Sequence, residues 1–275
     1  MPTVIPRRTG VSEAIFNVTA HLAFLKGCTM TTTPKKFLIT GGAGGIGLAL
    51  ARALIAEGNA VIACGRDQGR LDAARTLVPE LLTRQCDVSD RQDRTALVNW
   101  IAQEHPDLSA LINNAAVQTK TDFSRPLDEA QVTAEMQINF LAPLMLSLEL
   151  LPILKSQDAA MIINLSSGLA FCPVASLPVY SASKAALHSV TLSLRHQLAS
   201  QAVRVIEIIA PPVDTSLGGH AALDAIAAGL PVLKPEEFAA EVVGALGKDQ
   251  DEIAIGIAQA SRQQGEALFA LMNQA

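Results

Sequence analysis

The chain has 275 residues, 49% of them apolar, and a formal charge of −5. That length and apolar content suffice for one sizeable α/β core, while a mildly acidic chain without a Lys/Arg cluster argues against nucleic acid or an anionic membrane as main partner. The four cysteines, at 28, 64, 86 and 172, show neither metal-type nor Cys-x-x-Cys spacing. They read as reduced core residues; no metal site is expected, and the expected location is the cytoplasm. No run of about 18 uninterrupted apolar residues is present, so no membrane span is expected.

Residues 1–33 stand apart from the rest of the chain. Arg7-Arg8 ahead of Ala14 to Leu25 hints at a targeting segment, but Asn17, Thr19 and His21 interrupt the apolar stretch and no cleavage site is clear. Met30-Thr31-Thr32-Thr33-Pro34-Lys35-Lys36 reads as an ordinary start. The expectation is therefore an N-terminal extension over 1–33, a mobile tail or the product of a misassigned start, followed by one folded domain over 34–275.

The first element of that domain is an apolar strand, Phe37-Leu38-Ile39-Thr40. It runs into Gly41-Gly42-Ala43-Gly44-Gly45-Ile46-Gly47 and then an apolar-periodic helix from Leu48 to Glu57. Strand, glycine turn and helix form the setting of a dinucleotide-binding loop, in which glycines let the backbone approach a pyrophosphate at the helix N-terminus. A P-loop is disfavoured because no Lys-Ser/Thr pair follows the last glycine. Beyond it, strands are expected at 60–64, 82–87, 109–113, 160–165, 204–210 and 252–256. Helices are expected at 67–77, 90–104, 126–155, 177–200, 235–247 and 258–273. Continuous apolar strands such as Ala110-Leu111-Ile112 and Met161-Ile162-Ile163 indicate a parallel sheet covered on both faces. With right-handed crossovers this gives a Rossmann-type doubly wound sheet of about seven strands, ligands lying over the strands' carboxyl ends.

Tyr180 is the only tyrosine in the chain and precedes Lys184 by four residues. On a helix the two share a face, and a neighbouring ammonium favours phenolate, so Tyr180 is expected to titrate below its reference value of about 10 and to act as a general acid/base. The bland alternative is a partly buried Tyr beside a solvated Lys.

The combination of Thr40-Gly41-x-x-x-Gly45-x-Gly47, Cys86-Asp87-Val88, Asn113-Asn114-Ala115, Asn139, Ser167 thirteen residues before Tyr180, and Tyr180-x-x-x-Lys184 resembles the short-chain dehydrogenase/reductase family from about Lys35 onward. Asn164 to Phe171, His188-Ser189 through Leu198, and Ala210 to Thr215 are similar to its DltE-like subgroup, a name that records gene neighbourhood and identifies no substrate.

The resemblance implies a set of roles. Tyr180 exchanges a proton with the carbonyl or alcohol oxygen, Lys184 lowers its pKa and binds the nicotinamide ribose, and Ser167 holds the substrate oxygen, with Ser166 as the alternative. Asn139 kinks its helix and positions a relay water. Gly41, Gly45, Ile46 and Gly47 carry the pyrophosphate, Asp87 and Val88 contact the adenine, Asn113 and Ala115 line the adenosine ribose side, and Val213 and Thr215 meet the carboxamide. Ala116 stands where the family usually has glycine, and Ala210-Pro211 replaces the family's Pro-Gly. At the end of the second strand Gly65 replaces the acid that binds the ribose hydroxyls in NAD enzymes, and Arg66 can clamp a 2′-phosphate, which favours NADP over NAD. Asp67 is the residue that could restore NAD binding, and the glycine loop lacks a basic residue.

Leu169, Phe171, Val174 and Pro212, with Gln118, suggest a mostly apolar substrate pocket, and the Gly/Ala-rich segment 216–235 matches the family's mobile lid. The expected partner is an uncharged or apolar carbonyl or alcohol, and a homodimer or homotetramer is expected by resemblance. A non-catalytic cofactor-binding regulator and a methyltransferase are the competing readings; neither gives the Tyr, Lys, Ser and Asn set a purpose.

Overall fold

The computed structural model describes residues 34–217, 225 and 229–273. The expectations for residues 1–33 and for most of the lid, 218–224 and 226–228, lie outside them. The strands are β1 (Lys36–Thr40), β2 (Ala60–Gly65), β3 (Leu82–Gln85), β4 (Ala110–Asn113), β5 (Ala160–Ser167), β6 (Val203–Ala210) and β7 (Glu252–Ala254). The helices are α1 (Gly45–Ala56), α2 (Gln68–Leu77), α3 (Arg91–Glu104), α4 (Glu129–Met136), α5 (Ala142–Leu154), α6 (Pro178–Gln197), α7 (Pro235–Leu246), α8 (Ala258–Gln264) and α9 (Phe269–Met272).

The strands form one sheet in the order β3-β2-β1-β4-β5-β6-β7, every pairing parallel. Successive residues of the central strands alternate between two cores, as the pleat requires. Phe37 and Ile39, Val61 and Ala63, Ala110 and Ile112 face the core completed by Leu50, Leu54, Leu71, Phe238 and Val242 from α1, α2 and α7. Leu38, Ile62 and Leu111 face the opposite core, completed by Leu97, Ile101, Leu146, Leu150 and Leu194 from α3, α5 and α6. The chain reverses its winding direction between β1 and β4, so a crevice opens where their carboxyl ends diverge.

Two expected helices are subdivided. The stretch expected over 126–155 contains a π-turn at Gln137–Leu141, a wider turn in which one extra residue shifts which side chains face inward. The stretch expected over 258–273 breaks at Gly265, whose φ of +55° favours glycine, into a 3-10 turn at Gly265–Leu268 and the short α9. No run of about 18 uninterrupted apolar residues lies in these helices, but one stretch is apolar on average. Taken as one helical stretch, Glu129–Leu154 is long and apolar enough to cross a membrane by length and composition, with 26 residues and a window hydropathy of 1.5. Here Ala142, Leu146, Leu150 and Leu154 of that stretch pack against the sheet.

Candidate active site

A cleft of about 650 Å³ follows the carboxyl ends of the strands from β2 to β6. Its floor begins at the glycine loop. Gly41 and Gly45 hold φ of +65° and +50°, and a Cβ on Gly42 would come within 2.6 Å of the Ala63 side chain. Gly47 is buried behind the loop, and a Cβ there would strike the Gly41 carbonyl. Gly41, Gly45 and Ile46 border the cleft and Gly47 does not. Thr215 closes over the loop, its Cγ2 3.2 Å from where a Gly45 Cβ would project.

The loop is stapled to β4 by Thr40. Its hydroxyl accepts from the N–H groups of Asn114 and Ala115, both at 3.0 Å, while Asn114 Nδ2 donates to the Thr40 carbonyl at 2.8 Å. Asn113 is a correction. Its Nδ2 donates to Asn164 Oδ1 at 2.8 Å and Ser147 Oγ at 3.0 Å, so its side chain faces α5 rather than the cleft. The cause is strand alternation: Asn113 shares the face of Leu111, and the cleft receives Asn114, Ala115 and Ala116 instead.

At the far end Gly65, Arg66 and Asp67 border the cleft with Asp87 and Val88. Asp67 is engaged locally, its Oδ1 accepting from Arg70 N at 3.0 Å as the cap of α2. Asp87 accepts from Ser89 N and Oγ at 2.9 and 2.6 Å, and the capping of α3 falls to Asp90. Two arginines outside any motif complete this end. Arg70 Nη2 lies 2.6 Å from where a Gly44 Cβ would sit, which sets a cation against the glycine loop. Buried Arg94 donates to the carbonyls of Val88 at 2.9 Å and Ser89 at 3.3 Å and pairs with Glu149 at 3.2 Å, fixing the turn after β3. The one sequence signal for Arg70 is its place in the first turn of α2, where side chains lean toward the helix N-terminus.

Ser167, Tyr180 and Lys184 come together at the other end. Ser167 ends β5, its side chain next to the Tyr180 phenol and acting to lower the phenol's pKa, and accepts from Leu169 N at 3.2 Å. Ser166, the alternative, is turned away and bonded to Glu207 at 2.5 Å. Lys184 lies under Tyr180, its Nζ 5.6 Å from the ring centroid, and donates to the Leu165 carbonyl at 2.8 Å. The expected sense of the Tyr180 shift is reversed. Burial pushes the phenol above its ordinary value, against the pull of the Ser167 side chain, and the Glu135 carboxyl adds to the rise. Burial also lowers the Lys184 ammonium to about 8, opposed by Glu207.

Asn139 is fully buried in the π-turn. Its Oδ1 accepts from Val117 N and its Nδ2 donates to Val117 O, both at 2.8 Å, and to Ser183 Oγ at 3.1 Å. It therefore ties the loop after β4 to the helix of Tyr180 and does not itself border the cleft. Val213 pairs with Leu233 in an isolated parallel bridge and borders the cleft with Thr215. Leu169, Val174, Pro212 and Gln118 line the space beside Tyr180, joined by Leu177, Leu217, Ile257 and Met272. Phe171 is a second correction: it stacks edge-on against His188 at 4.6 Å with Arg262 above it, outside the cleft.

A glycine-loop cleft ending in a Ser, Tyr and Lys cluster defines a class, and the short chain dehydrogenase family profile matches residues 35–224. The chain belongs to the short-chain dehydrogenase family of oxidoreductases. It is 42% identical over 249 residues to the uncharacterized oxidoreductase DltE of Bacillus subtilis, covering 89% of this chain and 98% of that one. It is 31% identical over 175 residues to human dehydrogenase/reductase SDR family member 4, covering 62% and 63% of the two chains. Among solved structures, a short chain dehydrogenase from Burkholderia cenocepacia in complex with NADP superposes with a TM-score of 0.73 at 28% identity, over 84% of this chain and 92% of that one. One from Streptomyces avermitilis superposes at 0.75 with 22% identity, over 84% and 92%, a likeness of fold.

Proposed function

We propose that the protein transfers hydride between NADP(H) and an uncharged or apolar carbonyl/alcohol, with Tyr180 as general acid/base. The observation that carries this reading is the clustering of Ser167 and Tyr180 above Lys184, at the end of a cleft that begins in a glycine loop. The residues present fit a nicotinamide dinucleotide. The loop has the positive φ and close approach that a pyrophosphate needs. Arg66 and Arg70 stand where a 2′-phosphate would lie, and neither has an ion-pair partner among the described residues. Arg70 supplies the cation that the glycine loop itself lacks. The NADP-bound relative from Burkholderia cenocepacia points the same way; NAD is the alternative, through Asp67.

When bound, the cofactor supplies or accepts the hydride. Ser167 then holds the substrate oxygen where charge develops. Tyr180, kept protonated by burial, gives its proton to that oxygen in reduction, a contribution of roughly a hundredfold to ten-thousandfold. Lys184 keeps a positive charge beneath the phenol and faces the nicotinamide ribose. Asn139 holds the Val117 loop and Ser183 in register with Tyr180, beside the site of a relay water. The mostly apolar wall of Leu169, Val174, Leu177 and Pro212 is the ground for an apolar substrate. A homo-oligomer and a cytoplasmic location remain part of the proposal.

A panel of carbonyls and alcohols followed by nicotinamide absorbance tests it. Turnover with NADPH is expected in the wild type and its loss in Tyr180→Phe, with cofactor binding retained. A Tyr180→Phe protein that turns over at the full rate, or a wild type that binds cofactor and turns over nothing, sinks the reading in favour of a binding protein.

A further inference from the structure

Behind Ser167 three elements meet around one buried acid. Glu207 stands mid-strand in β6 among Val205, Ile206, Ile208 and Ile209, with no exposure at all. An ionised carboxylate there is costly unless it is paired and hydrogen-bonded. Its oxygens are divided between two partners. Oε1 accepts from Ser166 Oγ at 2.5 Å, and Oε2 accepts from Nδ1 of His188 at 2.8 Å. Both lead to the same cation. His188 is one turn beyond Lys184 on α6, so Tyr180, Lys184 and His188 occupy one helix face. Ser166 follows Leu165, whose carbonyl accepts from Lys184 Nζ at 2.8 Å. That carbonyl gives Lys184, itself 2% exposed, a hydrogen bond but no opposite charge.

We propose that Glu207 is the buried counter-charge of Lys184, oriented by Ser166 and His188, and thus a positioning residue for the proposed reaction. It rests on the reading of Lys184 as the cation beneath Tyr180. Glu207 opposes the fall that burial imposes on the Lys184 ammonium. The other charges nearby are accounted for. Tyr180 shares α6 with Lys184, and Glu135 on α4 acts on the Tyr180 phenol. Glu252, opposite Glu207 in the β6–β7 register, is paired with Arg262 of α8 at 3.0 Å. Donor atoms of His188, Glu207 and Glu252 approach within 4.8 Å of one another, but the Ser166–Glu207, His188–Glu207 and Arg262–Glu252 contacts already engage the carboxylates.

The test is NMR of ε-carbon-labelled lysine in the cofactor-free protein, the Lys184 signal being identified by its loss in Lys184→Met. The wild-type midpoint is expected near 8. Glu207→Gln preserves size and hydrogen bonding, and should lower the midpoint by about one pH unit or more, with Glu207→Asp restoring it in part. An unmoved midpoint in Glu207→Gln overturns the proposal. Should that variant not fold, the double variant Lys184→Met with Glu207→Gln, which loses both charges, is expected to recover folding. A double variant no more stable than Glu207→Gln alone also overturns it. Full turnover by Lys184→Met would instead defeat the catalytic reading and leave the titration result standing.

Discussion

Tyr180 and Lys184 are four residues apart in sequence, and their separation suggests a phenol made acidic by an ammonium. Burial decides otherwise. The ammonium donates away from the phenol, to the Leu165 carbonyl, and both groups lose water, so each is pushed toward its neutral form. Since Tyr180 is the only tyrosine, tyrosinate absorbance reports it alone. In the cofactor-free protein it is expected to ionise above the reference value of about 10, and a midpoint below that would refute the burial argument. Lys184 makes a signed prediction about stability. Its folded value of about 8 lies below the ordinary 10.5, so between those pH values the unfolded chain binds more protons and stability rises with pH. The cost of burying the ammonium is complete below about 8 and gone above 10.5. Over that window the wild type should gain about 3 kcal/mol on Lys184→Met in denaturant unfolding. A constant difference would show that the buried lysine holds its proton as tightly as in the unfolded chain, so that burial does not lower its pKa.

Arg66 and Arg70 are also decided residue by residue. Each guanidinium placed on a 2′-phosphate makes charge-assisted hydrogen bonds. Arg66→Ala and Arg70→Ala should each weaken NADPH binding by about 1.5–3 kcal/mol and leave NADH nearly unchanged, as read by calorimetry. Equal losses for both cofactors would reject the phosphate assignment, and a wild-type preference for NADH would move it to Asp67.

Among the helices and strands, short interruptions aim the site. The π-turn puts Asn139 onto Val117 and Ser183, so α4 and α5 hold the loop after β4 against the helix of Tyr180. The break at Gly265 turns the chain end back over the cleft, where Met272 lines the substrate side. Asn273 then grips the opposite wall, accepting from Ala175 N at 2.5 Å and donating to Pro173 O at 3.1 Å. Val174, between those two residues, faces the cleft. Asn273→Ala should therefore loosen that wall by about 1–2 kcal/mol, raising KM for the carbonyl roughly tenfold with cofactor affinity unchanged. A variant with unaltered KM would show that the wall holds its place without the clamp.

Among the described residues, the alternating strand and helix pattern begins at Lys36, where β1 joins the sheet. A chain started at Met30 is expected to keep the melting temperature and cofactor affinity of the full-length protein. A loss of several degrees on calorimetric melting would show that the preceding residues stabilise the fold.

The seven-stranded parallel sheet, the glycine loop and the pairing of Tyr180 with Lys184 are legible from residue order alone, while Ser167 joins that pair through the family resemblance. They are written in short-range signals: apolar strands, helical periodicity and fixed spacings along one helix. Folding was needed to settle which amide of the Asn113-Asn114 pair faces the cleft, because β4 is buried on both faces and its polarity pattern does not mark a side. Folding also places Phe171 outside the pocket, Arg70 and Arg94 at the adenosine end, and Glu207 behind Lys184. Those placements depend on partners far away in the chain. The sense of the Tyr180 shift depends on desolvation, a property of the folded surroundings that spacing along a helix does not encode.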